Sequence, residues 1–189
     1  AAAAGIVPTS GEPSHARSRR PPLPITPERI HDIARSFQPS RVLLSAIELG
    51  VFAELSDHPA RSSDVAVRIG ADERGLDRLM NALVALGLLV KTDDLFANAE
   101  GVRDLLAPGG PQYMGGALMH TAHMWESWST LTAAVRAGGS VMKRKGEERA
   151  KWVAPFIDAM HYYSSGRASE VVSALDLAGV RRVLDVGGG

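Results

Sequence analysis

A chain of 189 residues, 45% of them hydrophobic and with a formal net charge of +0, has room for one domain, or for one and part of another, around a core of ordinary size. Its balanced charge supplies no field to draw nucleic acid or an anionic membrane, and the absence of cysteine excludes disulfides, thiolate metal sites and cysteine nucleophiles. No apolar run approaches the ~20 residues that a membrane-spanning helix needs, so neither membrane nor nucleic acid is expected as a partner, and the cytoplasm is the expected location.

Residues 1–24 mix Ala, Gly, Pro, Ser and Arg with almost no large apolar side chains, which predicts a disordered tail. The segment lacks the charged leader and continuous apolar stretch of a signal peptide. Arg17, Arg19 and Arg20 read as solvated charge. Order is expected to begin at "TPERIHDIARSF", with Thr26 as helix cap and Pro27 in the first helical position. Ile30, Ile33, Ala34 and Phe37 recur at helical spacing, and Pro39 is expected to end this helix. A second helix over about 40–55 carries Leu44, Ile47, Val51 and Phe52, with Gly50 either weakening it or marking close packing.

"SSDVAVRIG" predicts a short helix capped by Ser62 or Ser63 and stopped by Gly70. Asp72 caps the next, whose apolar face is Leu76, Leu79, Met80 and Leu83, and Gly87 ends it. "LLVKTDDLFANA" then predicts two short strands around Thr92, Asp93 and Asp94. Helix, turn, helix, hairpin is the order of a winged helix. In a DNA reader of this kind the second helix would enter the major groove. Here it would present Asp72, Glu73 and Asp77 beside Arg74 and Arg78, and the hairpin tip would present Asp93 and Asp94 near Lys91. Those carboxylates oppose phosphate contact, so packing and dimerisation explain the module better than DNA binding. The apolar stripes at 27–37 and 41–55 require a partner surface, which predicts a homodimer.

From about 112 to 137 a long helical segment is expected, with Trp128, Leu131 and Val135 on one stripe, Trp125 close to it, and Gly138 and Gly139 at its end. "VMKRKGEERAK" reads as a solvated connector. "WVAPFIDAMHYYSSGR" and "ASEVVSALDLAG" predict two further helices, the first with Phe156 and Met160 one turn apart, the second stopped by Gly179. Arg182–Val186 reads as a strand.

That strand leads into Asp185, Val186, Gly187, Gly188 and Gly189. Strand-then-glycine is compatible with a dinucleotide site or with an S-adenosylmethionine site. A carboxylate at the strand tip would repel a pyrophosphate but would accept hydrogen bonds from the cationic methionine end of S-adenosylmethionine. Glycines without a Cβ let the backbone approach the adenosyl group. Asp185 therefore favours the methyl donor, a solvated strand turn being the alternative. His120 and His123, three residues apart, and His161 offer acceptor contacts rather than a metal site, because no carboxylate or cysteine cluster accompanies them.

Taken together, "LDRLMNALVALGLL" with its hairpin, "ESWSTLTAAVRAGG", "FIDAM" and "VLDVGGG" resemble successive segments of S-adenosylmethionine-dependent small-molecule O-methyltransferases, those similar to caffeate O-methyltransferase and to bacterial polyketide O-methyltransferases. The resemblance runs over roughly residues 27–189, the N-terminal portion of such enzymes. It implies a mainly α chain: a winged-helix-like dimerisation domain with a small β-hairpin over 25–110, a helical linker with pocket-lining helices over 111–178, and the start of a Rossmann-like cofactor domain over 179–189. It implies that Asp185, Gly187, Gly188, Gly189 and Ser164 hold the cofactor and that Phe156 and Met160 line the pocket of a small hydroxyl acceptor. Core packing is the alternative for Phe156 and Met160, and a plain helix-end hydroxyl for Ser164. The stretch between Gly139 and Phe156 is shorter than in the plant enzymes. The family's ribose-binding acid and histidine base would fall beyond Gly189, so no catalytic residue is assigned, and the chain by itself is expected to be inactive. A non-catalytic winged-helix dimerisation module is the competing reading.

Overall fold

The computed structural model describes residues 24–142, 147–184 and 186, of which 147–151 by their backbone alone. It divides between Arg35 and Ser36 into two compact units, each described by itself.

In the first unit, α1 spans Pro27–Arg35. Thr26 caps it as expected: its hydroxyl accepts from the Arg29 N–H at 3.3 Å and its carbonyl from the Ile30 N–H at 3.1 Å. None of its residues is buried, and Ile30 and Ile33 stand in solvent.

The second unit begins with α2, Phe37–Glu48. Pro39 was expected to end a helix and instead lies in the first turn of this one, where its missing N–H has no helical partner to lose. A proline ring collides with the carbonyl four residues back, here that of Arg35, and the helix break falls at that point. Phe37 accordingly starts α2 rather than completing the stripe of α1. The expected helix over 40–55 is also two helices. Gly50 adopts a left-handed φ of 72°, and α3 follows as Val51–Glu54. A Cβ at Gly50 would meet nothing within 4 Å, so the glycine is present for its conformation and not for close packing.

Next come α4, Ser62–Ile69, and α5, Glu73–Ala85. The Ser62 cap is not formed. Arg61 occupies the cap position and the Ser62 hydroxyl donates instead to Asp77 Oδ1 at 2.9 Å, tying α4 to α5. Gly70 closes α4 in the left-handed region, and Asp72 caps α5 by accepting from the Gly75 N–H at 2.7 Å. Strands β1, Leu89–Thr92, and β2, Leu95–Asn98, pair antiparallel with Leu89 opposite Asn98. Asp93 turns the hairpin at φ 53°, a conformation Asp tolerates better than most residues. Ala60 exchanges two backbone hydrogen bonds with Phe96, at 3.0 and 2.8 Å, extending the sheet by one bridge. The Asn98 amide donates to the Phe52 and Leu55 carbonyls at 2.9 and 3.2 Å, supplying partners for carbonyls near the end of α3. Leu76, Met80 and Leu83 of α5 enter one apolar core with Phe52, Val65 and Phe96. A five-residue helix, α6 (Val102–Leu106), adds Val102 and Leu106 to that core and was not anticipated.

The remainder is helical. The expected segment over 112–137 is α7, Gly115–Ser129, and α8, Leu131–Ala137, interrupted at Thr130 and ended by Gly138 at φ 71°. Its stripe of Trp128, Leu131 and Val135 faces solvent. Next, α9 runs unbroken over Glu147–Ala174, through Pro155 and Gly166, where the end of a charged connector and two helices were expected. One interior glycine costs a helix only about 1 kcal/mol, so it does not stop one whose flanks are both helical. The helix ends five residues before Gly179, which instead serves the turn in which the Val180 N–H donates to the Leu177 carbonyl. Residues 181–184 carry no strand pairing, contrary to the reading of Arg182–Val186, and Val183 and Leu184 are exposed. A strand exists by its ladder, and no partner strand lies beside this segment among the described residues.

Candidate functional site

The face between α7 and α9 is built from small residues. Ala117 on α7 and Ala159 on α9 are buried. A Cβ on Gly116 would run into the Cβ of Asp158, so only glycine permits this approach. Around these contact points the two helices place their rings. His120 meets Trp152 edge-on, with centroids 5.5 Å apart at 88°, and meets Phe156 at 5.4 Å and 66°. His123 lies over Trp152 at 5.8 Å and 34°. Tyr162 directs its hydroxyl to the Met114 sulfur at 4.0 Å and packs edge-on against Tyr163.

Beside these rings opens a cleft of ≈ 970 Å³ that includes Tyr113, Asp158, His161, Tyr162, Ser165 and Arg167 in its lining. Ser165 donates to the His161 carbonyl at 2.7 Å, and its oxygen lies 3.4 Å from His161 Nε2. The lining combines aromatic faces with a carboxylate, an imidazole and a guanidinium. Such a wall offers stacking area and a few oriented polar groups to a planar, partly polar molecule.

The sequence-predicted residues are distributed unevenly over this region. Phe156, Met160 and Ser164 follow one another at four-residue spacing on α9, and all three are exposed. Phe156 meets the His120 ring, but none of the three lines the cleft. His120 and His123 share the Trp152 ring, whereas His161 lines the cleft. Among the described residues no group of three His, Cys, Asp or Glu side chains could hold a metal ion. Asp185, Gly187, Gly188 and Gly189 lie outside the described residues. Trp152, Tyr113 and Asp158 were not singled out in the sequence. Trp152 stands four residues before Phe156, a spacing that could have marked it, whereas Tyr113 sits in a loop with no periodic signal.

Residues 31–107 match the O-methyltransferase dimerisation domain family. The chain is 32% identical over 178 residues to a 3-hydroxy-5-methyl-1-naphthoate 3-O-methyltransferase of Streptomyces sahachiroi, an alignment covering 91% of this chain and 52% of that protein. It is 30% identical over 169 residues to the N,N-dimethyltransferase OxyT of Streptomyces rimosus, covering 82% and 48%. Among solved structures, human N-acetylserotonin methyltransferase in complex with SAM superposes with a TM-score of 0.63 at 26% identity, over 80% of this chain and 49% of that one. The chain thus spans about half the length of the curated relatives it matches.

Proposed function

Because residues 31–107 match the O-methyltransferase dimerisation domain family, we propose that the protein takes part in methyl transfer from S-adenosylmethionine to a hydroxyl of a small, aromatic or polyketide-like acceptor, and that it works as a cytoplasmic homodimer. The domain match is the observation that carries this reading. Support comes also from the second unit: a helix, turn, helix and hairpin with a closed core, followed by a helix pair that leaves Trp128, Phe156 and Tyr163 exposed. Nothing observed favours the non-catalytic alternative.

Within this reading, residues 25–110 are the winged-helix-like dimerisation domain, with Asp72 and Asp77 engaged in capping and inter-helix hydrogen bonds rather than facing a nucleic acid. Residues 111–178 are the linker and pocket-lining helices, and 179–189 begin the Rossmann-like cofactor domain; the tail expected over 1–24 lies, but for Pro24, outside the described residues. Phe156 and Met160 offer an apolar face one turn apart, on which an aromatic acceptor would lie. His120, against Phe156, stands within reach of a polar substituent on such a ring. The Ser164 hydroxyl, one turn beyond Met160, would donate to the carboxylate of the cofactor. The Asp185 carboxylate would accept hydrogen bonds from a cationic methionine end, and Gly187, Gly188 and Gly189, having no Cβ, would let the backbone approach a flat adenosyl group.

When bound, S-adenosylmethionine supplies an electrophilic methyl on a positively charged sulfur. The chain's part would be to hold the acceptor hydroxyl beside the donor, to keep water away and, through Asp185, to accept hydrogen bonds from the cationic methionine end. No metal is needed for such a displacement. No residue described here is assigned as the base that takes the hydroxyl proton.

The test is transfer of a labelled methyl group by the full-length protein to hydroxynaphthoate and aminonaphthoate probes. Label on the hydroxyl probe supports the reading. Label on the amine alone would replace O-methylation by N-methylation, and absence of transfer with every hydroxyl probe would refute it.

A further inference from the structure

Phe156, Met160, Tyr163 and Arg167 follow one another along α9 at the three- and four-residue spacings that set side chains above one another on one face of a helix. Phe156, Met160 and Tyr163 are each about half exposed, and Arg167 is exposed as well. The stripe is aromatic and apolar over its first three positions and ends in a guanidinium. Tyr163 and Arg167 also line the cleft of ≈ 970 Å³ beside α7. Side chains on a helix lean toward its N-terminus, which sets Arg167 over the turn that carries Tyr163. Elsewhere arginines meet carboxylates: Arg41 pairs with Glu48, Arg61 with Asp94 and Arg68 with Glu54. Among the described residues Arg167 has no ion pair and no hydrogen bond, although Glu170 follows it within one turn. The carboxylate of the cleft, Asp158, stands nine residues earlier, about 14 Å along the helix axis, at the end where α7 closes on α9 through Gly116.

We propose that Arg167 sets the substrate class of this face: the ligand is an aromatic hydroxy acid, its ring lying over Met160 and Tyr163 and its carboxylate paired with the guanidinium. The proposal deepens the methyl-transfer reading above and rests on it for the role of the hydroxyl. Met160 and Tyr163 would accept any flat aromatic molecule, so the ring contact alone selects little. Arg167 supplies the discrimination. Its planar fork matches the two oxygens of a carboxylate, whereas a neutral molecule of the same shape leaves it to water. The lining of the cleft holds Asp158 and no second Lys or Arg, so the fixed charges match a single negative charge at the Arg167 end and not a phosphate dianion.

The test uses the full-length protein and three probes of one shape: a hydroxynaphthoate, its carboxamide and the parent naphthol. Binding is read from quenching of the probe's fluorescence, and transfer from a labelled methyl group. The hydroxynaphthoate is expected to bind about tenfold more tightly than the carboxamide or the naphthol. Arg167→Gln should remove that advantage and leave the binding of the two neutral probes and of S-adenosylmethionine unchanged. Arg167→Lys, which keeps the charge and loses the planar fork, should restore part of it. Because Arg167 is exposed, both variants should keep their circular dichroism and melting temperature. If Arg167→Gln does not fold, the order of the three probes on the unaltered protein decides. Equal binding of the three probes, or binding of none, overturns the proposal. So does an Arg167→Gln effect confined to S-adenosylmethionine, which would give the guanidinium to the carboxylate of the methyl donor. Binding of the acid through Arg167 without methylation of its hydroxyl supports the acid site and overturns the transfer reading. Equal transfer to all three probes, with equal affinities, overturns the acid site alone.

Discussion

Between Ala46 and Leu106 the chain hides Phe52, Met80 and Phe96 almost completely, whereas α9 leaves Phe156 45%, Met160 40% and Val171 57% exposed. Both regions are largely helical and similarly apolar. In the first, α3, α4, α5, α6 and the hairpin bring an apolar face each to one core, although Val67 and Val90 stay exposed. In the second, a single helix of 28 residues has α7 along part of one side, where Ala159 is fully buried, and presents many of its large apolar side chains elsewhere. The contrast separates what holds the fold together from what is left over for binding. An apolar residue that contributes little to stability and remains in place is available for a ligand or a partner.

The sharpest way to break this comparison is a pair of equal truncations. Phe96→Ala, in the closed core, is expected to cost about 3–5 kcal/mol in urea unfolding. Phe156→Ala, half exposed, should cost about 1 kcal/mol, yet should raise the KM for acceptor in the full-length protein. Similar stability losses at the two positions would erase the distinction.

Next in size is Gly116→Ala. Its new methyl would meet the Cβ of Asp158, a short side chain that cannot swing away, so α9 must shift. An overpacking cost of about 1–3 kcal/mol is expected, with the loss of hydrogen-exchange protection confined to α7 and α9 and the core of α5 and the hairpin unaffected. Smaller again is Asp72→Ala, which removes the cap on α5 and should destabilise by about 1 kcal/mol, while Asp72→Ser restores most of it.

The smallest effect is in α1. The Glu28 carboxyl is held below the usual carboxylate range, first by a backbone hydrogen bond and then by the Thr26 hydroxyl. A carboxylate with a lowered folded-state value adds helix stability that is present above its unfolded-state value and is lost as the pH falls through the folded one. Backbone chemical shifts over residues 27–35 should therefore show α1 losing helix in acid, and Glu28→Gln should flatten that dependence. The group is fully exposed, so the change should be confined to this helix.

The first region was far more legible in the sequence than the second. Asp72 as a cap, Gly70 as a stop, the Leu76, Met80 and Leu83 face and the turn at Asp93 are each set by residues within one or two turns, and the structure has them all. Pro39 was misread because proline forbids a helix behind it but suits one ahead. Gly50 was misread in part because a glycine can serve a turn or a close approach, and only φ tells which. In α9 local signals misled in the other direction. The Gly166 region was read as the join of two helices, and yet α9 runs through it, as it does through Pro155, which the sequence already places inside a helix. The paired segment of a strand is likewise not a local property, and Arg182–Leu184 show the consequence. For the site, the spacing of Phe156, Met160 and Ser164 placed them on one helix, but which face the neighbouring cleft would occupy depended on how α7 crosses α9. That is decided at Gly116, a position with no side chain to announce it.

The central claim is that a carboxylate followed by bare backbone, at Asp185 to Gly189, receives S-adenosylmethionine. Calorimetric titration of the full-length protein with S-adenosylhomocysteine and with S-adenosylmethionine tests it most directly. A saturable heat for both is expected, with Asp185→Asn weakening binding of the charged donor about tenfold or more. Absence of heat at millimolar ligand, or unaltered affinity in Asp185→Asn, would contradict it.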